Sequence, residues 1–405
     1  MDRPTLVLRG ATLFDGTGAA PMRDATVVVQ GGRILELGAG PLPAPAAAET
    51  LDLSGRHLVP GLIDAHVHAE DPAVLRVLLE AGITTIRNPG PMEPSVRQRG
   101  GPRVLHAGRY IDGAGSLVAG AVQVSTEQEA RREVGRQAEQ GVDLVKLYQA
   151  LGPALVRAAV DEAHERGLVA VGDLVATGWT EAARAGIDFL CHAVPRHPAL
   201  LPQEARSEYL RRLRQGDHPI CSWVELLDLE APPVQQMIDA LARGGVAVDP
   251  TLVSLEAMLF AGDPEYHDSL GAQGEEPPRL APDRVAQLRE RARPVWRKTC
   301  ALVRRLHRGG VRILCGTDAP RAFVAPGASL HRELVLLAGA GLSPLEALMS
   351  ATGGAADLLG LGGEVGSIRP GARADLVLLD RDPMADLRHT ASVCWVMQGG
   401  GIVAR

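Results

Sequence analysis

The chain has 405 residues and a formal net charge of −6, and only 3% of it is aromatic. Those figures exclude the broad basic surface by which nucleic acid or anionic lipid is held, and they leave length for one large aliphatic-cored domain plus a smaller one. The amino terminus, MDRPTLVLRGATLFDG, lacks a basic segment followed by an apolar one, and no run of about 18 uncharged apolar residues occurs. The expectation is a cytoplasmic protein acting on a small molecule, with neither nucleic acid nor membrane as partner.

Taken in chain order, residues 1–59 read as β-rich: TLVLRGATLF is followed by ATVVVQGGRILELG, where the Gly31-Gly32 pair suits a hairpin turn. An Ala/Pro tract, GPLPAPAAAE, comes next. The same texture returns near the carboxyl end as GSIRPGARADLVLLD and VCWVMQGGGIVAR. Neither terminal piece can bury a core alone, so residues 1–59 and 365–405 are expected to join in one small composite β domain, a β-sandwich, around residues 60–364.

Between the ends, short apolar runs alternate with helix-compatible stretches: GLIDAHVH, GITTIRN, RVLHAGRYI, LVKLY, LVAVGD, IDFLCHA, VAVDPTL and VRILCGTD. Helix starts are marked by Thr126 with Glu129 and by Ser343-Pro344 with Glu346, both capping-box patterns. Eight βα units predict an α/β fold built on a closed (β/α)8 TIM barrel, with its active site at the carboxyl ends of the strands. Two connections are long. Residues 194–245 follow the sixth strand and 253–311 the seventh, the latter including the acidic, Pro-rich GDPEYHDSLGAQGEEPPRLAPD. Each reads either as a lid or specificity element or as a solvated helical excursion.

Residue types at the strand ends carry the chemistry. In GLIDAHVH a period of two puts Asp64, His66 and His68 on one face of the first strand, and two imidazoles so spaced reach one metal ion. Lys146, in VDLVKLY, is one of only two lysines beside forty arginines; the other is Lys298. Burial there favours the neutral amine, which adds carbon dioxide to form a carbamate able to bridge two cations about 3.5–4 Å apart. The competing reading is a snorkelling or salt-bridged lysine. His192 closes strand six and Asp318 strand eight. Each alone reads as a packed histidine or a helix cap, but with His66, His68 and Lys146 they fall at one end of different barrel strands. Five cysteines, Cys191, Cys221, Cys300, Cys315 and Cys394, without a CxxC spacing, read as buried thiols of a reducing compartment.

With these residues in place the chain resembles the amidohydrolase superfamily, in its imidazolonepropionase-like and prolidase-like (Xaa-Pro dipeptidase-like) branch. The likeness runs through VPGLIDAHVH, GVDLVKLY, AGIDFLCH, GVAVDPTL, GTDAP, LHRELVLLAGAGLSPLEALMSAT and GSIRPGARADLVLLDRDP. It implies a barrel with a composite β domain, one or two divalent metals, commonly zinc, and often a homo-oligomer. His66 and His68 would bind the first metal, carbamylated Lys146 would bridge, His192 would serve the second, and Asp318 would touch the first and shuttle protons. The family expects a histidine after strand five, where this chain has Asp173. That residue is therefore a carboxylate ligand, or a proton carrier or substrate contact beside a single metal, or the mark of a weakened site.

The expected reaction is hydrolysis of an amide-type carbon–nitrogen bond in a dipeptide, acyl-amino acid or cyclic amide by metal-activated water. A lactonase, deaminase or non-hydrolytic reaction on the same barrel is the first alternative, and a non-catalytic scaffold the second. Tyr148 either hydrogen-bonds the oxyanion or packs in the wall, and Arg196 and Arg321 are candidate clamps for a substrate carboxylate. Arg87 and Asn88 read as supports for the ligands, and His331, His57, His106 and His307 as structural or exposed.

Overall fold

The computed structural model describes residues 5–43, 45–92, 96, 101–261, 263, 266 and 282–404. The chain begins with β1 (Leu6–Leu13), β2 (Met22–Gln30), β3 (Arg33–Ala39), β4 (Glu49–Asp52) and β5 (His57–Pro60). β2 and β3 pair antiparallel across Gly31 and Gly32, whose φ angles of 57° and 80° are those of the tight hairpin turn. Gly32 serves a second purpose, because a Cβ there would come 2.8 Å from the Gly399 carbonyl oxygen.

The middle of the chain supplies parallel strands. β6 (Leu62–Asp64), β7 (Ile83–Asn88) and β8 (Arg103–His106) form a three-stranded sheet. β9 (Ile111–Gly113), β10 (Val122–Val124), β11 (Leu144–Leu147), β12 (Val169–Gly172), β13 (Phe189–Cys191), β14 (Ala247–Asp249) and β15 (Arg312–Ile313) form a seven-stranded one, ordered β10-β9-β11-β12-β13-β14-β15. The eight expected runs are all present as strands. β9 and β10 were not expected: at three residues each they are too short to show a period, and they form by pairing with each other, with Ile111 also paired to Leu147 of β11.

Hydrogen bonds join the two sheets at both edges. Asp143 N donates to His106 O at 3.0 Å and Ala107 bridges to Leu144 of β11, while on the other side Ala65 N donates to Cys315 O at 2.9 Å. Ile63, Ala107, Leu144, Val171, Phe189 and Ala247, from six different strand runs, meet in one buried cluster. Helices cover the sheets, with both expected capping boxes formed, at Thr126 with Glu129 and at Ser343 with Glu346.

The last strands, β16 (Leu376–Leu379), β17 (Val393–Gln398) and β18 (Gly401–Ala404), return to the first ones. They complete an eight-stranded sheet ordered β18-β17-β16-β5-β1-β2-β3, with β4 on β1. One apolar core serves both chain ends: Leu8, Val27 and Ile34 pack with Leu376, Leu378 and Met397. Burying each such side chain contributes roughly 1.5–3 kcal/mol, and that gain is available only when both ends are present.

The long connection after β13 folds into helices Gln203–Arg214, Pro219–Leu226 and Pro232–Gly244, and that after β14 into Leu252–Phe260 and Pro282–Arg308. The acidic, Pro-rich stretch between the last two lies almost wholly outside the described residues. Among the described residues no helix is long and apolar enough to cross a membrane.

Candidate active site

Regular pairing in β6 stops at Asp64 and in β15 at Ile313, so His66, His68 and Asp318 lie just beyond their strands. The backbone there crosses over. His66 O accepts from Thr317 N at 3.0 Å and Asp318 N at 2.7 Å, and His68 N donates to Ala319 O at 2.7 Å. Asp64 reinforces the crossing: one oxygen accepts from His66 N at 3.0 Å and Thr317 N at 3.1 Å, the other from Thr317 Oγ1 at 2.7 Å. It is a fully buried fastener apart from the histidines, and burial pushes its carboxyl up to about 7.

This crossing brings three donors together. Asp318 Oδ1 lies 3.2 Å from His68 Nε2 and 3.5 Å from His66 Nε2. His68 approaches off the line of a hydrogen bond, and the buried Oδ1 has no hydrogen-bond partner among the described residues. A buried carboxylate oxygen left bare between two imidazole nitrogens fits a divalent cation, which takes such N and O donors together. Burial opposes the charge on Asp318, and the His68, His66, His192 and Arg321 side chains outweigh it, holding the carboxyl well below its ordinary range.

The imidazoles are prepared as ligands. His66 Nδ1 is 2.6 Å from Asp249 Oδ1, so it carries the proton and Nε2 keeps the lone pair. Asp249, the last residue of β14, accepts at its other oxygen from the fully buried Arg87, whose guanidinium lies 4.6 Å over the Phe189 ring. His192 Nδ1 is 2.8 Å from Thr251 Oγ1, and its ring stands 5.2 Å from that of His66. Burial lowers the proton affinity of both His66 and His192, which favours the neutral form that binds metal.

Lys146 is buried, with Nζ 2.8 Å from Cys191 Sγ. Cys191 in turn groups with His66 and Asp249 as close donor atoms. The expectation that burial alone leaves this amine neutral is corrected here. Burial does oppose the charge, but the groups around the amine, the Cys191 contact and the carboxylates of Asp173 and Asp249, favour it and raise Lys146 above its ordinary range. The Cys191 thiol is itself pushed up to about 12 by burial.

Asp173 follows β12 directly but does not join the histidines and Asp318 as a close donor. Its Oδ1 accepts from Arg196 Nη2 at 2.9 Å and its Oδ2 from Gln149 Nε2 at 2.7 Å. Arg321 is engaged too, with Nε 2.6 Å from Asp318 Oδ2. Both arginines expected as substrate clamps are thus held by carboxylates of the site itself. Tyr148 lines the cavity and stacks on Tyr110 at 5.1 Å with the rings 12° apart; burial pushes its phenol up to about 12, so it is a neutral donor near pH 7.

A cavity of ≈ 680 Å³ opens over these groups. Tyr148, Asp173, His192, Arg196 and Asp318 form its polar side, and Ile220, Leu255, Met258, Leu288 and Val324 its apolar wall. The two long connections supply most of that wall, with Ile220 from the first and Leu255, Met258 and Leu288 from the second. Six non-glycine residues among those described have positive φ, and five of them, His192, Arg196, Thr251, Asp318 and Phe323, line this cavity. Backbone strain is concentrated where function is expected to hold it.

Asp249, Cys191 and Tyr110 were not singled out from the sequence as site residues. Asp249 offered a usable signal, since VAVDPTL ends a strand in an acid just as ILCGTD does. The four histidines expected to be structural or exposed have partners of their own: His331 Nδ1 meets Thr390 Oγ1 at 3.0 Å, and His57, His106 and His307 face Asp382, Asp143 and Glu346.

Comparison with known proteins agrees with this geometry. Residues 278–403 match the amidohydrolase family model. An imidazolonepropionase of Streptomyces griseus subsp. griseus is 28% identical over 408 residues, covering 96% of this chain and 94% of the relative. A solved structure provisionally assigned as a prolidase of Bifidobacterium longum is 27% identical with a TM-score of 0.75, covering 100% of this chain and 96% of the other. The bottromycin amidohydrolase structure is 26% identical with a TM-score of 0.71, covering 99% and 87%. The protein is a hydrolase acting on carbon–nitrogen bonds. Its likeness is to the amidohydrolase superfamily, with imidazolonepropionases and prolidases among the proteins it resembles along nearly its whole length.

Proposed function

We propose that the protein hydrolyses an amide-type bond in a small molecule such as a dipeptide, acyl-amino acid or cyclic amide, using a divalent metal, zinc, held by His66, His68 and Asp318 with His192 beside them. The observation that carries this reading is the bare, buried Asp318 Oδ1 facing two Nε2 atoms whose rings are already oriented. A cation at that point supplies Lewis acidity to a carbonyl and acidifies water.

The chain's own groups do the rest. Asp318 takes the proton of the attacking water and passes it to the leaving nitrogen, and Arg321 on Oδ2 fixes the carboxylate's orientation. Tyr148, a neutral phenol at the cavity's polar side, donates to the developing oxyanion. The apolar wall receives the substrate's hydrocarbon part and keeps water from it. Lys146 is the residue we assign to a carbamate, on the strength of its place one sulfur away from His66; a metal cation held nearby would disfavour the ammonium and free the amine that carbon dioxide needs.

The hydrogen bonds at both sheet edges support one closed (β/α)8 barrel over residues 60–364, with residues 1–59 and 365–405 as the composite β domain. A homo-oligomer in the cytoplasm is the assembly we propose; the five unpaired cysteines suit a reducing compartment.

A screen of dipeptides, acyl-amino acids and cyclic amides against metal-loaded and chelated protein tests the function. Hydrolysis that chelation abolishes and metal restores is expected, with Asp318→Asn slower by about 10²- to 10⁴-fold. Turnover that survives both chelation and Asp318→Asn would contradict it.

A further inference from the structure

The position after β12 decides how many cations this site takes. Asp173 is 5% exposed, and both of its oxygens are occupied, Oδ1 by Arg196 Nη2 at 2.9 Å and Oδ2 by Gln149 Nε2 at 2.7 Å. A divalent ion on Oδ1 would sit about 2.0–2.2 Å from it, and so within about 5 Å of a guanidinium that never gives up its charge. The residues present therefore fit a first ion and do not fit a second one at Asp173.

Arg196 is held where it is. It lies four residues after His192 in a left-handed backbone conformation, φ 58°, unusual for any residue but glycine. Its side chain is 17% exposed, and it lines the cavity beside His192 and Asp318. The next residue, His197, accepts from Trp223 Nε1 through its carbonyl at 3.1 Å, anchoring the loop to the helix Pro219–Leu226.

We infer that the Arg196 guanidinium takes the place of a second metal ion: the site binds one divalent cation, and Arg196 supplies the fixed positive charge beside it that balances Asp173. His192 then serves the same ion as His66, and a carbamate on Lys146 meets one metal cation instead of two. This inference rests on the metal-dependent reading above and adds to it the identity of the second positive charge. An arginine cannot acidify water as a metal does, so its contribution is limited to charge and hydrogen bonding toward substrate.

The test is a count of zinc per chain. Protein is made in zinc-supplemented medium without chelator, its metal measured by elemental mass spectrometry, and further zinc titrated in by calorimetry. One ion per wild-type chain with no second binding event is expected. Asp173→His combined with Arg196→Met should bind a second ion, and Arg196→Lys, which keeps the charge, should remain at one. Thermal unfolding establishes that each variant is folded, and the wild-type count stands as a test if the double variant is not. Two ions per wild-type chain, or a folded double variant still at one, would overturn the inference while leaving the metal-dependent reading intact. No ion in the wild type would overturn both.

Discussion

Asp249 and His66 are joined by a 2.6 Å contact between Oδ1 and Nδ1, with Arg87 on the second Asp249 oxygen. The pair ties the end of β14 to the residue that begins the metal cluster. Because Nδ1 is committed to Asp249, His66 can turn only Nε2 toward Asp318.

Replacing Asp249 with Asn therefore has two separable effects. Supporting groups of this kind are worth about 10- to 100-fold in metal affinity, and leaving Arg87 buried without its counter-ion costs about 3–5 kcal/mol. Asp249→Asn should show both losses, in chelator competition and in thermal unfolding. Adding Arg87→Met should restore stability and leave the affinity loss. A double variant that recovers both would mean that Asp249 serves only to neutralise Arg87.

Gly316 tests the crossing of the first and last strand ends. A Cβ at this residue would lie 2.7 Å from His66 Cβ and 3.0 Å from His66 N. Gly316→Ala should push His66 out of line, at about 1–3 kcal/mol of stability, with weaker metal binding. Unchanged metal affinity in that variant would show that the histidine tolerates displacement.

Much of this site was legible because its residues are chemically conspicuous at strand ends. His66, His68, His192 and Asp318 share one end of the parallel strands, and strand order alone brings such residues together. The Asp173–Arg196 pair was not legible: its partners lie 23 residues apart, and the link depends on a left-handed turn at Arg196 that no local pattern announces. Likewise, Asp249 sits inside an apolar run, and its role appears only once β14 is set beside the residues that follow β6. The charge state of Lys146 depended on Cys191, Asp173 and Asp249, none of them a neighbour in sequence. The sheet shared by the chain ends could be foreseen from texture, whereas β9 and β10 were too short to announce themselves.

Substrate preference should follow the apolar wall. Met258 and Leu255, on the helix Leu252–Phe260, face the cavity opposite its polar groups. Met258→Glu places a charge against that wall and should reduce kcat/KM for substrates with large apolar groups by about 10-fold or more, since a buried methylene is worth about 0.8 kcal/mol. Small polar substrates should be affected much less. Equal losses for both kinds would indicate a general structural defect.

Glu333 gives a pH dependence of stability. It is fully buried, and its oxygens accept from Leu252 N at 2.9 Å and Val253 N at 2.6 Å, at the first turn of the same helix. Burial pushes its carboxyl up to about 8; the two backbone N–H groups pull it down, and Asp64 and Glu256 add to the rise. The folded state therefore holds this proton more tightly than the unfolded chain. The stability contribution should fall as pH rises from the ordinary 4.5 through about 8 and level off above. In thermal unfolding, the advantage of wild type over Glu333→Gln should shrink across that window. A constant difference would mean that Glu333 does not titrate there.

The most direct measurement is anomalous diffraction at the zinc edge from crystals of the metal-loaded protein. The account predicts a peak about 2.0–2.2 Å from His66 Nε2, His68 Nε2 and an oxygen of Asp318. Fully loaded crystals with no peak between these three residues, or with the ion bound elsewhere, would contradict it.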